Sequence, residues 1–209
     1  MHNSGLQIIF STRSDFVPEN SEAGLVLIVQ SFIPRLEKTM LTDPKISILG
    51  KDPERKHRIN ANSFQQHAIT TVNGFQYAGF YTDVPEQKGA CRVNISRRQI
   101  ASGVNDWETI TLEDYQQTVD DGHNTISVGI CRGDGTVHLG FDHHCDQLRF
   151  RVSELGLPSK EPKGWEGSKF GATQDFLPGI KHSTLMDEVT YPRFVNVGDD
   201  LMLTWRIGQ

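Results

Sequence analysis

The chain has 209 residues, of which 36% are hydrophobic, 9% aromatic and 22% charged, and its formal net charge is −5. An acidic balance excludes a general nucleic-acid footprint, and the longest apolar run, Ala23 to Val29, is far short of the roughly 20 residues a helix needs to cross a bilayer. A coiled coil, a collagen and a disulfide-dense miniprotein are excluded as well, the last because there are only 3 cysteines, an odd number with no CxxC pair.

Met1 to Phe10 lacks the basic segment and sustained apolar core of a secretory signal, which leaves localisation open. Residues 1–45 form an irregular segment, in which Val26 to Met40 admits a short helix broken near Pro34. Lys51 to Arg58 is a charged, solvated link. From His67 the pattern turns to β-structure. His67 to Val72 and Phe75 to Thr82 are strands joined at Asn73-Gly74, a hairpin signal. Ala90 to Ser96 and Trp107 to Leu112 supply a third and a fourth strand. The set then restarts with Thr125 to Ile130, a turn at Gly133-Asp134-Gly135, Thr136 to Phe141 and Leu148 to Val152. A further set runs from Glu188 to Tyr191, turns at Gly198-Asp199-Asp200 and returns through Leu201 to Trp205. Between them, residues 154–187 form a long loop of the kind that often carries function on a β scaffold.

The turns at 73–74, 133–135 and 198–200 recur with a period of about 60 residues, and repeated sets of short antiparallel strands are the signature of propeller blades. The expected fold is all-β. It is a partial β-propeller of about two and a half to three four-stranded antiparallel blades over residues 46–209, and closure takes at least about four. The chain therefore reads as truncated at its C-terminus, with strand edges left open.

The densest chemistry flanks the second hairpin. Asp121-Gly122-His123-Asn124-Thr125 precedes it and Asp142-His143-His144-Cys145-Asp146 follows it. A hairpin returns to its starting end, so the two motifs meet in space although His123 and His143 are 20 residues apart. Three readings stay open for this cluster: a metal site, since His, Cys and Asp are zinc ligands although no short zinc motif is matched; capping of strand ends by hydrogen bonds; and a polar, anion-binding or acid–base site. Tyr191 and Arg206 flank the next hairpin and fall at the same end, where they add a phenol and a fixed positive charge. Asp134-Gly135-Thr136 shares part of the Asp-box turn of sialidase-type blades, without the flanking Ser and Trp. Asn94-Ile95-Ser96 fits a glycosylation sequon. His182 and Asp187 in the long loop read as solvated.

Asp121 to Ile130, Asp134 to His144 and Leu148 to Ser153 together resemble the BNR-repeat-containing family, as do Gln66 to Ile69, Phe75 to Tyr81, Val189 to Val195 and Leu201 to Gly208. The resemblance spans about residues 60–209 and implies a seven-bladed propeller fold. It also implies a polysaccharide lyase of the ulvan or rhamnose–glucuronate type, which cleaves uronic-acid glycans by β-elimination. Carried over residue by residue, it implies His123 and Tyr191 as catalytic groups. His143, with His144 adjacent, and Arg206 would bind the substrate at its uronate carboxylate, and Asn124 of the Gly-His-Asn motif would join His143, His144 and Arg206 in binding substrate. It implies an acidic polysaccharide as partner and a secreted protein. It implies no cofactor or metal for catalysis, with any structural Ca or Zn lying in blades beyond those present; oligomeric state stays open. Other readings are a non-catalytic carbohydrate-binding propeller, a sialidase-like hydrolase, and a metal-dependent hydrolase using His123, His143 and Asp142.

Overall fold

A computed structural model describes residues 45–60, 67–103, 105–158, 164–177, 179–181 and 186–208, together with the backbone of residues 6–9. The helix considered at Val26 to Met40, Gln66 and His182 lie outside the described residues. The described strands are β1 (Leu6–Ile9), β2 (Ile69–Val72), β3 (Phe75–Asp83), β4 (Cys91–Gln99), β5 (Glu108–Thr111), β6 (Ile126–Cys131), β7 (Thr136–Phe141), β8 (Phe150–Val152), β9 (Val189–Val197) and β10 (Asp200–Ile207).

They form three antiparallel sheets, ordered β2-β3-β4-β5, β6-β7-β8 and β1-β10-β9. Each is nucleated by a short turn that the sequence supplies. Asn73 and Gly74 both take positive φ, 50° and 81°, the mirror-image turn whose twist matches the flanking strands. At the next turn Asp134 Oδ1 accepts the Thr136 backbone N–H at 3.1 Å and its hydroxyl at 2.7 Å, which pins the start of β7.

Among the described residues, only the first sheet has the four strands expected of each blade. In the second, the fourth position is taken by part of the long loop, through isolated bridges from Ser153 to Phe170 and from Phe150 to Gln174. In the third, β1 pairs with β10, so four residues of the segment expected to be irregular cover a strand edge. The loop at 154–187 is also structural: Leu157, Phe170, Leu177 and Met186 are buried in the core.

The sheets stack mainly through β2 and β3 against β6 and through β6 against β9, and glycines set how closely. A Cβ at Gly79 of β3 would lie 2.5 Å from Ile126 Cγ2, and one at Gly129 of β6 would lie 2.5 Å from Phe194 Cβ. The bare backbone is therefore the surface against which the next sheet packs. One core unites Tyr81, Val93 and Ile95 with Ile126, Val128 and Phe141, and a second unites Leu148 and Phe150 with Val189, Phe194 and Trp205. The glycosylation reading of Asn94 is corrected here. It lies buried in β4, where its amide donates to Phe80 O at 3.2 Å and to Thr82 Oγ1 at 3.0 Å, out of reach of a modifying enzyme.

Candidate active site

Hairpin register decides what meets at the rim. Ile126 pairs with Phe141, so the segments before β6 and after β7 leave the sheet side by side, tied by the Asp142 N–H donating to Thr125 O at 3.1 Å. The turn after β7 is joined to the third sheet by reciprocal backbone bonds between Asp146 and Val189 and by the Cys145 N–H donating to Thr190 Oγ1 at 2.8 Å. Tyr191 follows directly.

Tyr191 owes its direction to a bulge. Thr204 pairs with Arg193 and Arg206 with Thr190, so Tyr191 and Pro192 together oppose the single residue Trp205. Proline has no N–H for the ladder and is tolerated at such a bulge. Tyr191 sits at φ 52°, a strained conformation for a bulky residue of the kind that collects at functional sites, and the bulge re-aims its ring. That ring lies 6.3 Å from the His123 ring and 5.3 Å from the Arg206 guanidinium carbon.

His123 and His144 face each other with ring centroids 4.2 Å apart. Between them lies Asp121. Its Oδ1 accepts from His123 Nδ1 at 2.6 Å and from the His123 backbone N–H at 2.8 Å, and its Oδ2 accepts from His144 Nδ1 at 2.6 Å. Burial alone would raise the Asp121 carboxyl, but the hydrogen bonds from His144 and from the backbone and ring of His123 outweigh it and hold it down at about 2. The Tyr191 phenol is raised above its ordinary value by burial, against the opposing pull of Arg206 and with a further push from the Asp121 charge. Both His side chains keep solvent access, 38% for His123 and 22% for His144.

Two residues expected at this site are placed elsewhere. His143 is fully buried; its Nε2 accepts the Arg149 backbone N–H at 2.8 Å, and burial, with a lesser contribution from Arg149, pushes it down to about 3. It is neutral and faces the core, so the histidine beside His123 is His144. Asn124 is also buried, its amide donating to Val119 O at 3.2 Å, where it braces the loop. Asp142, weighed with His123 and His143 as a metal ligand, is buried and accepts the hydroxyls of Tyr81 and Tyr115. Burial raises it to about 6 against the lowering effect of those two hydrogen bonds.

Asp121 had no assigned role from sequence, although its position two residues before a histidine is a local signal. An aspartate side chain readily caps the N–H two residues on, and that fold-back is what places the carboxylate against the ring. Two concavities of about 710 and 400 Å³ are present, one walled by Arg55, Gln87 and Asp120, the neighbour of Asp121 in sequence, and the other by Asn73, Cys131 and Pro158. Neither is lined by a histidine. The cluster at Asp121 is the chemically equipped position: two imidazoles, a phenol, a guanidinium and a carboxylate on a solvent-facing rim.

A family model described as BNR repeat-containing family member matches residues 75–209. No curated protein matches the chain. In three dimensions the chain is similar to the crystal structure of polysaccharide lyase Uly1, with a TM-score of 0.62 at 22% sequence identity, covering 78% of this chain and 40% of that one. The antiparallel all-β architecture thus matches part of that propeller, and the chain spans 40% of its length.

Proposed function

The chain belongs to the BNR repeat-containing family, and on that premise we propose that the cluster of His123, His144, Tyr191 and Arg206 is the active site of a lyase for uronic-acid polysaccharides, of the ulvan or rhamnose–glucuronate type. The observation that supports the reading is the convergence itself: a histidine pair at 4.2 Å, a tyrosine ring at 6.3 Å and an arginine stacked on that tyrosine. These are the groups β-elimination needs. The C5 proton of a uronate is weakly acidic while its carboxylate is charged. Arg206 and, in its imidazolium form, His144 offset that charge and stabilise the enolate-like intermediate.

His123 removes the C5 proton. The electron pair left at C5 forms the C4–C5 double bond as the C4–O4 bond breaks. Tyr191 gives its hydroxyl proton to the departing O4; a phenol raised above its ordinary value is protonated at neutral pH and suits the acid role. One proton leaves the sugar and one returns to the leaving group, and no water is consumed, so the paired carboxylates of a glycosidase are not needed. The test is incubation of the purified chain with ulvan and with gum arabic, following the ultraviolet absorbance of the unsaturated uronate. A rise that is abolished by Tyr191→Phe is expected. No rise from a sample shown by circular dichroism to be folded would overturn the lyase reading in favour of a carbohydrate-binding module.

A second reading rests on a separate observation. Ligand atoms of Asp121, His123 and His144 all lie within 4.8 Å of one another, and two histidines with one carboxylate form a set that suits Zn²⁺ or Fe²⁺. EDTA separates the two. The acid–base mechanism keeps its full rate after chelation; a rate lost to EDTA and restored by Zn²⁺ would put a metal in its place.

A further inference from the structure

Two imidazoles share one carboxylate, and this constrains both. A neutral imidazole carries a single N–H. At Asp121 the Nδ1 of His123 and the Nδ1 of His144 each approach a different carboxylate oxygen at 2.6 Å, and an ionised carboxylate only accepts. Each ring must therefore place its proton on Nδ1, which makes Nε2 the basic nitrogen.

We propose that Asp121 is the shared positioning residue of this site, one carboxylate that fixes both His123 and His144 in the Nδ1–H tautomer and so assigns proton exchange with substrate to Nε2 on each. The proposal deepens the lyase reading, since it concerns the same site, but its physical content stands on the geometry alone. The carboxylate cannot turn away easily: the oxygen that holds the His123 ring also accepts the His123 backbone N–H at 2.8 Å, while the other oxygen is held by a ring from the far side of the hairpin. The segments before β6 and after β7 are thereby locked together through one side chain. The carboxylate of a serine-protease triad holds one imidazole in its working tautomer; here one carboxylate does so for two. Its single negative charge balances one imidazolium, which fits a site that needs one histidine as base and one as cation. Tyr191 also senses this carboxylate: the charges of Asp121 and Cys145 raise its phenol and that of Arg206 lowers it.

The test is Asp121→Asn in the full chain. The amide keeps the shape but offers one acceptor oxygen and one NH₂. It can accept from one ring only, and the other must present Nδ1 as an acceptor and carry its proton on Nε2. The readout is two-bond ¹H–¹⁵N correlation of the histidine rings in ligand-free protein at alkaline pH, assigned with His123→Gln and His144→Gln. The expected result is Nδ1–H on both rings in the wild type and Nε2–H on at least one in Asp121→Asn. In a lyase assay the same variant is expected to lose about 10²–10⁴-fold in kcat with KM changed less than about threefold, and Asp121→Glu to recover part of the loss. An Nε2–H tautomer on either ring of the wild type, or unchanged tautomers in Asp121→Asn, would overturn the proposal. The tautomers are read without substrate, so absence of lyase activity would sink the functional reading and leave this one standing or falling on its own spectra.

Discussion

Asp142→Asn isolates the energetic load of a buried carboxylate next to the site. Asp142 is 3% exposed, accepts hydroxyls from Tyr81 and Tyr115, and titrates at about 6 in the fold against an ordinary value of 3.8. The folded chain therefore holds this proton more tightly than the unfolded chain. As far as this group is concerned, stability is greatest below about pH 4 and falls as pH rises through about 6. At 1.36 kcal/mol per pH unit, the distance from 3.8 to about 6 is worth about 3 kcal/mol, a large share of the 5–15 kcal/mol typical of a domain. Asparagine tolerates the left-handed conformation that Asp142 adopts at φ 64°, so the backbone is retained. Its one acceptor oxygen serves one tyrosine well and the other poorly, a loss of about 1 kcal/mol at any pH. The variant should be about 1 kcal/mol less stable than wild type near pH 4 and about 2 kcal/mol more stable near pH 8. Urea unfolding of both proteins at several pH values, compared as differences, removes the titration of every other group. A difference that stays constant from pH 4 to 8 would refute the argument that burial dominates at Asp142.

Gly129→Ala should destabilise by about 1–3 kcal/mol, because its Cβ would run into Phe194 Cγ and meet Phe194 Cβ at 2.5 Å and Leu201 Cδ2 at 3.0 Å; denaturant midpoints check this, and Phe194→Ala in the same chain, which removes Cγ but keeps Cβ, should relieve part of the strain. His143→Ala and His144→Ala should separate cleanly. The first removes a buried acceptor of the Arg149 N–H and is expected to lower stability by about 2–4 kcal/mol. The second removes one hydrogen bond to Asp121 and is expected to lower stability by a smaller amount, about 1–2 kcal/mol, while abolishing turnover; turnover lost in His143→Ala and kept in His144→Ala would reassign the two neighbours.

The sequence carried the repeat and the convergence of the candidate residues. Hairpin turns such as Asn73-Gly74 and Asp134-Gly135, with strands of regular length between them, were enough to place each sheet, because turn chemistry and strand pattern are local properties. The same logic brought the motif around His123 to the motif after β7, and Tyr191 and Arg206 to the same rim, since a hairpin must return to its starting end.

Periodicity stops where the strands stop, and three decisions were made beyond that point. Between His143 and His144, the turn after β7 chose His144: Asp142 and Cys145 take positive φ, 64° and 55°, and no alternation predicts which side chain such a turn sends to the core. The aim of Tyr191 came from a bulge that exists only when β9 is paired against β10. The role of Asp121 came from two rings that reach one carboxylate from opposite sides of the hairpin. Local sequence sets the strands and turns; which of two adjacent histidines meets solvent is set by how neighbouring sheets pack, because the burial of each ring depends on contacts far away along the chain.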